Sequence, residues 1–236
     1  MASSPLAGTL VLIATPIGRA DDLTTPARLE LAAVDVLACE DTRRTRRLLA
    51  AVGVAAPRLR SVRRENEAAS VAWCMRQLLA GRRVGMVSDA GMPGVSDPGQ
   101  RLVAGVRAAG GRVVSVPGPS AVAEVVARIP WVQRGFAFEG FPPRSGGDRT
   151  RLLDRVATSR VPTVLFESPR RVEATMAELA AVCGGDRRAA VGKDLTKTHE
   201  RVVVGTLGTP LGEPLGEYVV VVDGAGDAGD ATVGYH

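Results

Sequence analysis

Hydrophobic runs alternate with amphipathic segments through the first half of the chain. The runs Thr9–Ala14, Val36–Cys39 and Val84–Val87 are mostly aliphatic and are bounded by turn-forming or charged residues, which is typical of buried strands. Between them, Asn66–Gly81 places apolar residues at helical spacing. This alternation predicts a doubly wound α/β domain with a parallel sheet. Further strands are predicted at Leu59–Val62 and Arg112–Val116. Four further helices are predicted: one begins at Thr25, two span Arg43–Val52 and Gln100–Ala109, and one ends at Arg128.

The second half follows a different pattern. Strand-like runs at Ala189–Val191, Arg201–Val204 and Tyr218–Val222 succeed one another without a strong helical pattern between them, which favours antiparallel strands in a mixed sheet. We therefore expect two α/β domains, residues 1–118 and 119–223, and a disordered glycine-rich tail over 224–236. Before Ala189, the pattern predicts two strands, Phe136–Phe138 and Val161–Phe166, and two helices, Asp148–Thr158 and Pro169–Val182.

The loop Ser88–Gly99 carries the strongest sign of a ligand site. It follows a predicted buried strand, holds three glycines and two prolines, and has Asp89 and Asp97 near its ends. Strand-to-helix turns usually need about 2–6 residues, so this loop is long. Open α/β sheets bind ligands at the carboxyl ends of their strands. The composition therefore favours a ligand loop over an ordinary turn.

Two more turns follow strands of the same predicted sheet. Ala14–Gly18 comes after the first strand, and Pro117–Ala121 comes after the fifth, where Ser120 can cap a helix or offer its hydroxyl to a ligand. Each turn alone is also compatible with a plain tight turn. Three such loops at one edge of a sheet favour a shared crevice.

Charge is distributed unevenly along the chain. The net charge is +5, and residues 1–130 carry 17 basic and 11 acidic side chains, against 13 and 14 in residues 131–236. Arg43, Arg44, Arg46 and Arg47 follow Glu40-Asp41, and this cluster is either a solvated helix face or a phosphate-binding surface. Aromatic residues make up only 3% of the chain, so we do not expect base stacking as a main device.

Other classes of site find little support. Three widely spaced cysteines and two histidines, without a Cys-x-x-Cys pair, predict neither a disulfide framework nor a metal site and favour a reducing, cytoplasmic location. The apolar run Leu10–Ala14 is too short for a signal peptide or a membrane span. Lys193–Glu200 holds both lysines and one histidine at a predicted strand end, where a site and a solvated turn are equally compatible with the residues.

Taken together, these segments resemble the cytidine-2′-O-methyltransferases of small-subunit (16S) ribosomal RNA, within the tetrapyrrole methylase superfamily. The matching motifs run in colinear order from about Gly8 to Val222. They are Leu12–Gly18, Ala38–Arg43, Ser88–Gly99, Pro117–Val122, Phe138–Arg144, Phe166–Arg171, Leu195–Lys197 with His199-Glu200, and Gly216–Val219.

The resemblance implies a tetrapyrrole-methylase-like fold of two α/β domains, with S-adenosylmethionine bound in the cleft between them and two copies forming a homodimer. The first domain would then contribute cofactor contacts from its three loops, and the second from one strand end. The implied residues are Pro16, Asp89, Ala90, Gly91, Pro93, Gly94, Ser120 and Ala121, followed by Phe166, Glu167 and Ser168.

The implied reaction transfers the methyl group to a ribose 2′-hydroxyl. Because a hydroxyl is a weak nucleophile, we expect a base or an electrostatic helper, with Glu40, Asp41, Lys193 and Glu200 as candidates. The partner would be ribosomal RNA or the small subunit, with no membrane and no metal involved. The candidate RNA contacts are Arg43, Arg44, Arg46, Arg47, Arg63, Arg64 and Arg144.

Three departures from the family keep other readings open. Arg63 and Glu65 stand where relatives commonly have histidines, and Ile129-Pro130 replaces a small Ser-Gly pair. The chain also ends without a helical extension that many relatives carry. A methyltransferase of the same fold acting on a tetrapyrrole or another small molecule is therefore an alternative, and so is an RNA-binding module without catalysis.

Overall fold

The computed structural model describes residues 6–63, 66–209 and 216–226, which form two compact units that divide between Ser120 and Ala121. Arg64 and residues 227–236 of the predicted tail lie outside the described residues. Among the described helices, none is long and apolar enough to cross a membrane.

The first unit is built on a parallel five-stranded sheet, as the sequence predicted. Its strand order is β3-β2-β4-β1-β5 and all neighbours are parallel, so every connection between successive strands crosses over. The strands are β1 Thr9–Ile13, β2 Val36–Cys39, β3 Arg58–Ser61, β4 Arg83–Val87 and β5 Arg112–Val116. The helices are α1 Thr25–Ala33, α2 Thr42–Ala51, α3 Glu67–Leu79 and α4 Gln100–Ala108.

Helices cover both faces of this sheet, which confirms the doubly wound arrangement. Leu10 of β1 packs into one apolar cluster with Leu78 of α3 and Leu102 of α4. The next residue, Val11, packs into a second cluster with Leu31 of α1, because successive side chains of a strand point to opposite faces. The two faces of β1 are therefore packed between two layers of helices. The carboxyl end of β1 leads into the loops at one edge of the sheet.

The second unit carries the expected mixed sheet. Its strand order is β6-β7-β10-β8-β9; β6 and β7 are parallel, whereas β10 runs antiparallel to both β7 and β8. The elements are α5 Ala121–Val126, β6 Ala137–Gly140, α6 Gly147–Thr158, β7 Thr163–Glu167, α7 Val172–Cys183, β8 Arg188–Lys193, β9 Arg201–Thr206 and β10 Tyr218–Val222.

Several boundaries differ by one to three residues from the sequence-based expectation, and two of these shifts have a local reason. Strand β7 begins at Thr163 instead of Val161, because both the N–H and the carbonyl of Val161 are bonded to the Ser159 hydroxyl. Helix α7 begins at Val172 instead of Pro169, because the Ser168 carbonyl first closes a turn by accepting the N–H groups of Arg171 and Val172.

Candidate functional site

In the first unit, hydrogen bonds join the loop after β1 to the loop after β4. The N–H of Thr15 donates to the Gly91 carbonyl over 2.9 Å, and the N–H of Gly91 donates back to the Thr15 carbonyl over 3.1 Å. The buried Thr15 hydroxyl adds a bond to the Ser88 carbonyl (3.1 Å), and the Ser88 hydroxyl donates to the Ala90 carbonyl. The glycine-rich loop is therefore fixed against β1 at its first turn.

The loop after β5 reaches the same place. A Cβ atom on Gly91, whose φ is +75°, would lie 3.7 Å from Ile17 and 3.8 Å from the Pro119 carbonyl oxygen. A Cβ atom on Gly118 would lie only 2.8 Å from the Cβ of Ala14. All three loops that the sequence singled out thus meet at the carboxyl edge of the parallel sheet, the position at which such sheets bind ligands.

A fourth segment, the turn after β2, joins this edge through Asp89. The Asp89 carboxylate accepts the backbone N–H of Asp41 over 3.1 Å and forms an ion pair with Arg44 at 3.4 Å. Asp41 caps α2 with its own side chain, which accepts the N–H of Arg43 at 2.7 Å. The acidic pair Glu40-Asp41 and the first arginines of α2 are therefore held against the glycine-rich loop.

The three carboxylates at this edge differ in their electrostatic state. Burial raises the pKa of Glu40, and the neighbouring Asp89 carboxylate raises it further. Burial likewise raises the pKa of Asp89, although the Asp41 N–H and Arg44 act in the opposite direction. The hydrogen bonds from Arg43 hold the pKa of Asp41 well below its usual range. Glu40 is thus the better proton acceptor of the adjacent pair, whereas Asp41 is a stable anion that caps a helix.

A small open pocket lies between the loop after β1, the start of α2 and the end of β4. Its polar lining comes from Thr15, Arg44, Thr45, Ser88 and Asp89. The pocket is therefore built by the first unit alone and has Asp89 in its wall.

The arginines of α2 form an exposed basic face. Thr45 and Leu49 are buried against the sheet, while Arg46 and Arg47 project into solvent without an ion-pair partner in the described parts of the chain. Arg43 and Arg44 are also exposed but are paired with Asp41 and Asp89. The adjacent edge strand β3 adds two exposed arginines, Arg58 and Arg60, and Arg63 follows it. A phosphate backbone is the natural ligand of such a face.

In the second unit, candidate residues gather at one end of the mixed sheet. Tyr218 of β10 lies opposite Glu167 of β7 on one side and opposite Lys193 of β8 on the other. Strands β6, β7 and β8 run in the same direction, so the segments that leave them begin at this same end. Phe166, Glu167, Ser168, Lys193 and the loop up to Glu200 are thereby brought to one edge.

Glu167 is buried within a network of internal bonds. Its side chain is fully shielded from solvent, forms an ion pair with Arg171 at 2.7 Å, and accepts the Thr175 hydroxyl at 2.8 Å and the Ser168 N–H at 2.7 Å. Arg149 extends the network by donating to the Thr175 hydroxyl. The Glu167 carboxylate is thus occupied by its own chain, which makes it a residue that positions the segment around Ser168.

The loop after β8 is conformationally strained. Asp194 and Thr196 adopt φ values of +47° and +64°, which are uncommon for residues other than glycine and are unfavourable for a β-branched side chain. Glu200 stabilises this turn by accepting the Thr196 N–H at 2.5 Å and pairing with Arg128. Lys197 contacts Asp194 and Glu217; burial lowers its pKa, but these carboxylates more than offset the effect and leave it raised. Backbone strain of this kind concentrates at functional sites.

Within each unit the structure groups most of the predicted site residues. The first unit assembles Pro16, Asp89–Gly94 and Ser120 with Glu40 and Asp41, whereas Lys193 and Glu200 belong to the second unit. Sequence reasoning missed Thr15, Ser88, Arg149 and Thr175, which fix the loops. Only Arg149 left a signal, since it shares a helical face with the apolar residues Leu152, Leu153 and Val156. No group of three or more metal-ligating side chains occurs within the described ranges.

Residues 9–211 match the family described as Tetrapyrrole (Corrin/Porphyrin) Methylases. The chain is 42% identical, over 92% of its length and 78% of the relative's, to a Mycobacterium bovis protein named ribosomal RNA small subunit methyltransferase I.

Solved structures agree with this match at the level of the fold. The methyltransferase CobJ superposes with a TM-score of 0.70 at 19% identity, covering 94% of this chain and 95% of CobJ. Uroporphyrin-III C-methyl transferase from Thermus thermophilus, complexed with S-adenyl homocysteine, superposes with a TM-score of 0.62 at 18% identity, covering 91% and 96% of the two chains.

Proposed function

This chain belongs to the tetrapyrrole (corrin/porphyrin) methylase family, and from that premise we propose that it transfers a methyl group from S-adenosylmethionine to the ribose 2′-hydroxyl of a cytidine in small-subunit ribosomal RNA. The observation that carries the proposal is the convergence of the loops after β1, β2 and β5 on the glycine-rich loop after β4, which carries Asp89 and lies next to an exposed arginine face.

The residues at the first unit's loop edge suit S-adenosylmethionine. Two partly buried carboxylates, Glu40 and Asp89, complement a sulfonium cation, and Gly91 and Gly94 have positive φ values that let backbone approach a ligand closely. Pro16, Ala90, Pro93 and Ser120 complete the proposed contacts from the first unit's loops, and Ala121, Phe166 and Ser168 are the proposed contacts from the second unit. When bound, the cofactor supplies an activated methyl group on sulfur.

The arginine face supports an RNA acceptor over a small molecule. Arg43, Arg44, Arg46, Arg47 and Arg63 lie on or beside the element that begins at the cofactor loops, so a phosphate backbone bound there would run next to the site. The relatives named for ribosomal RNA methylation share far more sequence with this chain than the porphyrin and cobalamin enzymes do, and those enzymes share only the fold. A tetrapyrrole acceptor is therefore not favoured.

We assign proton transfer to Glu40. Methyl transfer to oxygen is a displacement, in which alignment of the hydroxyl with the methyl–sulfur bond supplies much of the rate. The attacking 2′-hydroxyl must lose its proton, and a carboxylate with a raised pKa is better matched to that task than one with a low pKa. Asp41 and Glu200 act as positioning residues because each is bonded to its own chain, and Lys193 remains a candidate for orienting the acceptor.

The direct test is nucleoside mass spectrometry of small-subunit RNA from cells with and without the gene. We expect 2′-O-methylcytidine to disappear on deletion and to return with the wild-type gene but not with Asp89→Ala. Unchanged 2′-O-methylcytidine in the deletion strain contradicts the proposal.

The resemblance also supports a homodimer that works in the cytoplasm, where small ribosomal subunits are assembled. Light scattering of the purified protein tests the first point, with twice the chain mass of 24.6 kDa as the expected result.

A further inference from the structure

Aromatic side chains are scarce in this protein but are not scattered. The chain has four phenylalanines, and all of them lie between residues 136 and 166, in the second unit. Three form one cluster: the ring of Phe166 packs edge-on against Phe138 with centroids 4.9 Å apart, and tilted against Phe141 at 5.5 Å. Phe141 nevertheless keeps 52% of its surface exposed to solvent.

The backbone turns Phe141 onto this cluster. The pairing of β6 with β7 shifts register between Phe138 and Gly140, and Gly140 has a φ of +67°. A bulge of this kind redirects a strand and the side chains that follow it. The bulged residue Glu139 is neutralised by an ion pair with Arg155 at 2.7 Å. The strand end therefore presents a ring, and its neighbouring carboxylate is already paired.

The loop that carries Phe141 is held in place by hydrogen bonds from two arginines. Arg171 donates to the Pro142 carbonyl at 3.1 Å, and the buried Arg149 donates to the Pro143 carbonyl at 2.9 Å. Both arginines belong to the Glu167 network, which ties the loop to α6 and α7. An exposed ring on a fixed backbone loses little conformational entropy when a flat ligand stacks on it.

The charges beside the cluster indicate what covers it. Arg144 follows Phe141 by three residues, and Arg170 lies on the loop that leaves the adjacent parallel strand after Phe166. Both are exposed and have no ion-pair partner among the residues that the structure describes. A symmetric contact with a second copy of this chain would bring these arginines together, whereas the phosphates that flank a nucleobase would neutralise them.

We propose that Phe141, supported by Phe166 and Phe138, is a stacking platform for a nucleobase of the RNA substrate, with Arg144 and Arg170 on the adjoining phosphates. The inference rests on the RNA methyltransferase function proposed above and extends it by assigning the second unit a base-binding surface. A base stacked there would be held outside a helix, which is what an enzyme needs when it acts on one nucleotide of a folded RNA.

The test compares Phe141→Leu, Phe141→Tyr and the matched control Phe136→Leu in the full-length protein. Phe136 is also exposed but lies at the opposite end of β6. We expect Phe141→Leu to lower kcat/KM for small subunits by about 5- to 150-fold, the range for removal of one base stack. Phe141→Tyr and Phe136→Leu should stay within about twofold of wild type, as should the Kd for S-adenosylmethionine in every variant.

Binding of a fluorescein-labelled, cytidine-rich oligoribonucleotide separates this inference from the proposed function. Phe141-dependent binding without methyl transfer supports the platform and contradicts the function. Methyl transfer with a Phe141→Leu variant as active as wild type overturns the platform alone, and a wild type that neither binds RNA nor methylates small subunits overturns both. A Kd for S-adenosylmethionine that weakens in Phe141→Leu by as much as kcat/KM falls shows that the ring acts on the cofactor through Phe166, and a changed oligomeric mass assigns it to a second copy; either result overturns the platform.

Discussion

The backbone N–H of Asp41 donates a hydrogen bond to the Asp89 carboxylate over 3.1 Å, which joins the turn after β2 to the glycine-rich loop after β4. Through this bond, the helix that carries the arginine face and the loop proposed for the cofactor share one anchor. Asp89 serves the fold and the proposed site at once, so its two roles have to be separated by substitution.

Replacing Asp89 with asparagine is expected to stabilise the protein at neutral pH and to weaken cofactor binding. The amide oxygen can still accept the Asp41 N–H, while the cost of a partly buried charge is removed. Because burial raises the pKa of Asp89 in the folded state, ionisation destabilises wild type above that pKa. The advantage of asparagine should be full at pH 7 and vanish as the pH falls through that pKa toward about 4.

Thermal unfolding between pH 4 and pH 7 measures this difference, and calorimetry with S-adenosylmethionine measures the binding. A variant that is less stable than wild type at pH 7 contradicts the electrostatic account. A variant that binds the cofactor with unchanged affinity contradicts the assignment of Asp89 to the site.

Glu40→Gln tests the proton acceptor. Loss of a general base typically lowers kcat by about 10²- to 10⁴-fold, and the KM for RNA should change little, because glutamine keeps the shape of the side chain. In wild type, activity should fall as the pH drops through the pKa of Glu40, which burial and Asp89 place above the ordinary glutamate value. If the residual activity of the variant falls at low pH in the same way as that of wild type, a group other than Glu40 is responsible for the pH dependence.

Gly118→Ala tests the close approach between the loops after β1 and β5. The Cβ atom of the alanine would lie 2.8 Å from the Cβ of Ala14, which is closer than two non-bonded carbon atoms can lie. The Pro117–Ser120 turn must therefore move. We expect a loss of about 1–3 kcal/mol in the free energy of unfolding, together with weaker cofactor binding.

Gly185→Ala is the matched control for this substitution, because a Cβ atom there meets nothing within 4 Å. Chemical denaturation of both variants gives the comparison. Equal stability of the Gly118→Ala variant and wild type would show that the loops are not packed as described.

Glu167→Ala is expected to be among the most destabilising single changes in the second unit. Removal of the carboxylate leaves Arg171 without its buried partner and the Thr175 hydroxyl without its acceptor, at a cost of about 3–5 kcal/mol. Glu178→Ala removes the partner of Arg149 at a position whose side chain is 44% exposed, and should cost less than half as much. Urea unfolding of the two variants measures both losses in the free energy of unfolding. Similar losses in the two variants would contradict the role given to the Glu167 network.

The double substitution Arg46→Gln, Arg47→Gln tests the arginine face. The logarithm of RNA affinity falls linearly with the logarithm of the salt concentration. Each phosphate–arginine interaction that is removed should make this slope less steep by about 0.7 to 0.9, so the double variant's slope should be less steep by up to about 1.8. Arg160→Gln, an exposed arginine in the second unit, is the control and should leave the slope unchanged. A double variant with the wild-type slope places the RNA elsewhere on the protein.

Much of the first unit could be predicted because its signals are local. Glycine, proline and aspartate at the ends of apolar runs indicated the three loops, and the parallel sheet places the ends of its strands along one edge. The bonds that fix those loops were not predictable, since Thr15 and Ser88 look like ordinary turn residues. Their roles arise only when residues more than seventy positions apart along the chain come together.

The second unit was harder to predict because its order depends on distant pairing. Nothing local shows that β10 inserts between β7 and β8, and this insertion is what brings Glu167 and Lys193 to either side of Tyr218. The left-handed backbone of Thr196 also had no signal, because sequence patterns assign that conformation to glycine or asparagine. The low aromatic content similarly concealed the fact that the rings are clustered.

Methyl transfer to a ribose of small-subunit RNA can be measured in vitro. Purified protein is incubated with isotope-labelled S-adenosylmethionine and small ribosomal subunits from the deletion strain, and the digested RNA is analysed by mass spectrometry. We expect label in 2′-O-methylcytidine at one position, and no label with Asp89→Ala. Label on a base, or no label in RNA from a protein that binds S-adenosylmethionine, would contradict this expectation.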